Sequence, residues 1–270
     1  MNDRDDADLE RRFGGLRRLV GETGYARIRS ARVAVVGLGG VGSWTVEALA
    51  RSGVASLTLI DLDHIAESNI NRQVQALGAT LGMPKARALA ERIADIHPGC
   101  VVHEVEAFVE EGAWPALLPA PVEAVVDACD QVRAKLVLAA WAQQTGVPLV
   151  CVGAAGGKQD PTQVASADLA DVTHDPLLAA LRQRWRQQGA TRGGAALGLR
   201  CIYSRESVAL PGGEQGGDVD GNLNCHGYGS SVAVTATFGF AAAAEVLRNL
   251  ATMPRSAHRV VSSVGRAADF

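Results

Sequence analysis

The chain has 270 residues, 47% hydrophobic and 20% charged, with a formal net charge of −3. This balance excludes a disordered or fibrous chain and supplies a core that needs no disulfide or metal staple. The slight acidity gives no global reason to bind nucleic acid, although a mean conceals local patches. The cysteines at 100, 129, 151, 201 and 225 are widely spaced and form no CxxC pair. Free thiols in a reducing, cytoplasmic setting are therefore expected, without a zinc knuckle. The mixed-charge start has no apolar run behind it, so no signal peptide is expected. The uncharged run 229–244 is shorter than the roughly 20 residues of a membrane span. It reads as a buried or interface helix, so membrane association is not expected.

An N-terminal arm, 1–30, precedes the first regular pattern. Residues 32–36 read as a buried strand, 41–52 as a helix and 57–60 as a second strand, the opening of a mononucleotide-binding fold. The alternation continues with a helix over 86–96, a strand over 101–105 and a short helix over 111–118. A strand over 122–126, a helix over 132–145 and a strand over 149–152 complete it. This order predicts an α/β fold: a doubly wound, mostly parallel sheet with right-handed crossovers.

After Gly157 the regularity breaks. The pattern gives a strand over 163–167, a helix over 175–188, a glycine-rich loop over 189–198 and a short strand over 200–203. A second glycine-rich loop, 211–221, leads to an apolar helix over 231–250. The expected organisation is the arm 1–30, a nucleotide-binding part 31–157 and a less regular substrate-binding and dimerisation part 158–270, within one continuous fold.

Gly37-Leu38-Gly39-Gly40-Val41-Gly42 falls where the first strand meets the first helix. Glycines there permit a tight turn and let backbone N–H groups approach phosphate. Asp61 closes the second strand, placed to accept a ribose hydroxyl. A dinucleotide-dependent dehydrogenase would look the same up to this point. Four later motifs separate the two: Asp61-Leu62-Asp63, then Asn69-Ile70-Asn71-Arg72-Gln73, then Lys85-Ala86, then Asp127-Ala128-Cys129-Asp130. Hydride transfer has no use for Arg72, Lys85 and an extra carboxylate around a pyrophosphate. Triphosphate chemistry does, since cations neutralise the leaving pyrophosphate and a carboxylate at a strand end holds Mg2+.

This series of motifs resembles the adenylating domain of ubiquitin-activating-enzyme-like proteins, which include the activators of thiamine and molybdopterin sulfur carriers. The resemblance implies MgATP binding and transfer of AMP to a carboxylate. Asp61 would hold ribose, Asn69, Arg72 and Lys85 would face the phosphates, and Asp130 would hold the metal. Asp63 and Gln73 belong to the same motifs. Arg12, in Arg11-Arg12-Phe13-Gly14-Gly15, would complete the site across a homodimer.

Three further stretches narrow the resemblance: the arm motif, Asp175-Pro176-Leu177, and Asn224-Cys225 leading into Val234-Thr235-Ala236-Thr237-Phe238. Together they are similar to the tRNA threonylcarbamoyladenosine dehydratase family, over roughly residues 10 to 250. The resemblance implies ATP-dependent activation of the threonylcarbamoyl carboxylate, then ring closure with net loss of water. It also implies tRNA as partner, Mg2+, and a monovalent cation, Na+ or K+, as a further candidate. Cys225 beside His226 is a candidate for catalysis or for accepting sulfur from a cysteine desulfurase. Cys129, Cys151 and Cys201 read as core. The histidines at 174, 226 and 258 show no metal-ligand spacing.

A tRNA substrate demands phosphate contacts. Residues 176–205 contain Arg182, Arg184, Arg186, Arg192, Arg200 and Arg205 with no acid, and 246–268 contain four more arginines, again with no acid. Arg182, Arg184, Arg186 and Arg192 are the tRNA-contact candidates, with Trp185 as a packing residue or a stacking one. Two other readings stand beside this one: an adenylyltransferase for a small sulfur-carrier protein, and a sulfur-relay scaffold.

Overall fold

The structure, a computed structural model, describes residues 7–189, 196–209 and 228–252. Strands β1 (Arg32–Val36), β2 (Ser56–Ile60), β4 (Ala124–Asp127) and β5 (Leu149–Val152) are almost wholly buried. Helices cover both faces of the sheet, which is why these strands read as apolar runs rather than alternating patterns. With β3 (Val101–Val105), β6 (Val164–Asp168) and β7 (Arg200–Ser204) they form one seven-stranded sheet, in the order β3-β2-β1-β4-β5-β7-β6. All pairings are parallel except β6 with β7 at one edge. Two strands from the irregular half thus extend the sheet begun by the first half. The order reverses between β1 and β4, and a crevice opens at the carboxyl ends there.

One face is covered by α1 (Leu9–Ser30), α2 (Gly42–Arg51), α3 (Lys85–Ile96) and α6 (Val232–Thr252), burying Ile28, Leu49, Ile93 and Phe238. The other is covered by α4 (Val132–Thr145) and α5 (Pro176–Gln187), burying Leu138, Leu181 and Trp185. Helix α1 is bent at Gly21, whose φ of 73° breaks the helical path. The apolar run expected as a buried helix is α6. Among the described residues no helix is long and apolar enough to cross a membrane.

The short helix expected over 111–118 does not form; the segment is a series of turns. Gly112 has a φ of 91°, and Pro115 brings no N–H and crowds the preceding turn. The glycine-rich loop 211–221 lies outside the described residues.

Helix α6 reaches the first turn of α2 through Gly239. A Cβ there would lie 2.6 Å from the Val41 carbonyl oxygen and 2.7 Å from Trp44 Cβ. Thr45 Oγ1 donates to the Gly239 carbonyl at 3.2 Å. Gly239→Ala is therefore expected to lower stability by about 1–3 kcal/mol despite its better helix propensity. The readout is a lower urea midpoint at unchanged slope.

His97, just past α3, is 2% exposed and packs on Phe13 with ring centroids 4.8 Å apart. Arg29 Nη1 donates to its Nε2 at 2.8 Å. Burial, then the Arg29 and Arg12 guanidinium groups, push its pKa down to about 4. The unfolded chain binds the extra proton first, so this stabilisation is complete above about pH 6.5 and is lost as pH falls towards 4. The loss is at most about 3 kcal/mol. Melting temperatures between pH 7 and 4 should fall less steeply in His97→Asn than in the parent chain.

Candidate active site

The carboxyl ends of β1, β2, β4 and β5 enclose a cleft of about 320 Å3, the size of a small-molecule site. Its floor is the glycine turn. Gly37 has a φ of 83°, and a Cβ on it would meet Cys129 N at 2.8 Å and Ala128 O at 2.9 Å. Gly37, Gly39 and Gly40 line the cleft. Gly42 stands behind it and opens α2; a Cβ on Gly42 would overlap the Gly37 carbonyl oxygen.

Asp61 is anchored to this turn. Its Oδ2 accepts from Leu38 N at 2.6 Å and its Oδ1 from Asp63 N at 2.9 Å. Lys85 opens α3, with Nζ 2.7 Å from Asp63 Oδ2 and 3.9 Å from Asp61 Oδ2. Arg72 lays its stem against Gly40 and donates from Nη1 to the Ser68 carbonyl at 2.7 Å. Asn69 and Gln73 complete that wall, with Asn69 Oδ1 accepting from Ala66 N at 3.0 Å. Gln73 Oε1 accepts from Gln75 Nε2, which also donates to the Leu38 carbonyl at 3.0 Å. Asp130 is exposed in the cleft and makes no ion pair among the described residues. The described residues hold no cluster of three or more His, Cys, Asp or Glu able to bind an ion. A single free carboxylate suits Mg2+, which takes most of its ligands from phosphates and water.

Sequence reasoning missed the pair beneath this wall. Asp127 and Lys135 are both fully buried, with Nζ 3.1 Å from Oδ1. Lys135 also donates to the Val152 carbonyl at 2.8 Å, tying the end of β4 to the end of β5. Burial, the largest single influence, would lower the lysine pKa, but the Asp127 carboxylate together with Cys129 and Cys151 outweighs it and the net shift is upward. The available signal was a lysine on the face of α4 that also buries Ala134 and Leu138.

The sequence model described as the ThiF family matches residues 13–264. The chain belongs to the ThiF family. It is 40% identical over 251 residues to the tRNA threonylcarbamoyladenosine dehydratase of Escherichia coli strain K12, covering 88% of this chain and 93% of that one. It is 38% identical over 249 residues to the enzyme of the same name from Haemophilus influenzae, covering 90% and 94%. A solved structure of the E. coli dehydratase in complex with ATP aligns with a TM-score of 0.81 at 39% identity, over 90% of this chain and 96% of that one. Within the ThiF family its place is with these dehydratases.

Other expected residues are placed elsewhere. Arg12, expected to reach across a dimer, lies outside the cleft of its own chain and donates from Nη1 to the carbonyls of Asp95 and Ile96 at 2.7 Å, capping α3. Arg182 is half-buried and donates to the Leu169 and Val172 carbonyls. Arg184 and Arg186 are exposed on α5, while Trp185 is buried beneath them. Arg200 and Arg248 are not free: both pair with Glu245, one residue outside the second acid-free stretch. Arg192 and Cys225 lie outside the described residues.

Cys151 and Cys201 are buried as expected. Cys129 instead lines the cleft, its Sγ 2.9 Å from Asp127 Oδ1. Burial, then the Asp127 carboxylate, push that thiol well up, so it stays protonated and is a poor nucleophile. Lys135→Met leaves Asp127 buried and unpaired and should cost about 3–5 kcal/mol in chemical denaturation, most of it regained in Asp127→Asn/Lys135→Met.

Proposed function

We propose that this ThiF-family chain uses ATP to dehydrate N6-threonylcarbamoyladenosine in tRNA. The observation that carries the reading is one cleft, at the strand-order reversal, holding a glycine turn, Arg72, Lys85 and Asp130. Dehydratase relatives that match almost the whole chain support it over the sulfur-carrier and scaffold readings.

A carboxylate is a poor electrophile because oxide would have to leave. Its oxygen attacks the α-phosphorus of ATP, pyrophosphate departs, and the resulting acyl-adenylate carries AMP as leaving group. An atom of the same side chain then attacks the acyl carbon, releasing AMP and a proton. The lost oxygen leaves on AMP, so the nucleoside loses one water. A tethered nucleophile reaches effective molarities on the order of 10⁵ M, so ring closure requires no protein nucleophile. In this reading Arg72 and Lys85 stabilise charge on the departing pyrophosphate, Asp61 holds ribose, and the turn amides approach phosphate.

The cleft sets Asp61, Asp63 and Asp130 against two cations, so a bare triphosphate meets excess negative charge. Mg2+ fits this donor set, with Asp130 as its protein ligand and the shielding of phosphate charge as its contribution. A homodimer and a cytoplasmic setting belong to the same proposal. The exposed apolar side chains of Ile70, Leu77, Leu81 and Phe240 offer surface of the kind that homodimers cover.

The test is to incubate the chain with ATP, Mg2+ and tRNA bearing the threonylcarbamoyl group, then weigh the nucleoside. Loss of one water is expected, with Arg72→Ala and Asp130→Ala slower by about 100-fold or more. An unchanged mass, with pyrophosphate exchange appearing only when a carrier protein is added, would overturn the reading.

A further inference from the structure

A second cavity, an open surface depression of about 330 Å3, adjoins the first. Pro176 and Val208 line both, forming a shared neck. On the first-cavity side of this neck the lining includes the small residues Gly153, Ala154, Ala155 and Gly156 together with Leu177 and Tyr228. Beyond it lie Thr173, His174, Arg182 and Ser207, two hydroxyls, an imidazole and a guanidinium that the adenylation chemistry does not use.

Two buried charged groups fix the cavities to each other. Lys158, 2% exposed, donates from Nζ to the His174 carbonyl at 2.8 Å and to the Glu206 carbonyl, so it ties together both walls of the second cavity. It comes directly after Gly156 and Gly157, at the edge of the first. Asp175, 4% exposed, accepts from Ala154 N on the first-cavity wall and from Leu178 N in the opening turn of α5, both at 2.9 Å. His174 has a φ of 57°, the one non-glycine residue with positive φ among the described residues. Backbone held in such a conformation persists only where its surroundings enforce it.

The substrate of the dehydratase reading has a matching shape. Its carboxylate hangs from the exocyclic nitrogen of a purine, so the acid must enter the ATP cleft while base and polynucleotide stay outside. We propose that the second cavity is the nucleoside subsite, taking the purine that carries the threonylcarbamoyl group, with Lys158 as the positioning residue that keeps it in register with the ATP cleft. The exposed His174 imidazole offers a stacking surface, and Thr173 and Ser207 offer hydrogen bonds to an unstacked base. The Arg182 head is fixed at the wall by its bonds to Leu169 and Val172. The proposal rests on the dehydratase reading.

Ala179 is an exposed position on α5 that lines only the second cavity, so Ala179→Trp fills it without touching the ATP cleft. Steady-state dehydration of the modified tRNA should show a KM for tRNA raised about tenfold or more in Ala179→Trp and about fivefold in His174→Ala, the scale of one lost stacking contact. Affinity for a non-hydrolysable ATP analogue, titrated without tRNA, should be unchanged in both. Lys158→Met should lower kcat/KM for tRNA while the analogue still binds. If Lys158→Met fails to fold, the two surface variants decide alone. An active parent chain whose KM for tRNA is indifferent to both surface variants overturns the subsite and leaves the dehydratase reading standing. So does equal weakening of analogue binding in Ala179→Trp. A parent chain that removes no water overturns both.

Discussion

The cleft exists because stretches of backbone lie closer together than side chains would permit. Gly37 sits against the backbone of residues 128 and 129, and Gly42 against the carbonyl of Gly37 itself. This closeness leaves the Leu38 amide facing Asp61, whose carboxylate then orders the start of the segment leading to Lys85. The constraint extends to the far end of the chain. Gly239 of α6 lies on the backbone of residues 41 to 45, so a helix about 200 residues away in sequence forms part of the support of the nucleotide turn. A bulky side chain at any of these glycines would move the elements that carry the charges.

Those charges are held before any ligand arrives. Lys85 rests on Asp63 and Arg72 on a backbone carbonyl, both on short, well-defined contacts. Each cation is therefore pre-positioned, and in the proposed reading an incoming phosphate would replace an existing partner instead of ordering a free side chain, which would lower the entropy lost on binding. Beneath them the Asp127–Lys135 pair serves geometry more than stability. An apolar pair of the same volume would often be as stable. Only a group with several donors, though, can hold the Asp127 carboxylate and the carbonyl end of β5 together under two loops that line the cleft.

Much of this was legible in the sequence, and what was not shares a cause. Fully buried parallel strands announce themselves as apolar runs, and the glycine turn, Asp61, Arg72, Lys85 and Asp130 fall in order along one crossover pattern, so local spacing reveals them. Lys135 and Lys158 were missed because their partners come from elements distant in the chain: the end of β5 for one, the turns at 174 and 206 for the other. A buried lysine looks like a surface lysine until its acceptors are known. Arg12 likewise finds partners distant in sequence, the carbonyls of residues 95 and 96. The helix expected over 111–118 failed for a local reason that was visible, a glycine and a proline inside the run.

Counting arginines along the chain overstated the free positive charge. Arg200 and Arg248 neutralise Glu245, and Arg182 is half-committed to two carbonyls. Among the described residues of the first stretch, Arg184, Arg186 and Arg205 are exposed and make no ion pair with a described residue. The first two lie on α5, the helix that also contributes Pro176, Ala179 and Arg182 to the second cavity, and Arg205 precedes the Ser207 wall by two residues. Charge that a polynucleotide backbone would seek and the cavity that a base would enter are therefore carried by the same elements. Phosphate contacts fix register without reading sequence, whereas the cavity beside them reads the base. A net charge of −3 is compatible with a tRNA partner because only this one part of the surface has to be positive.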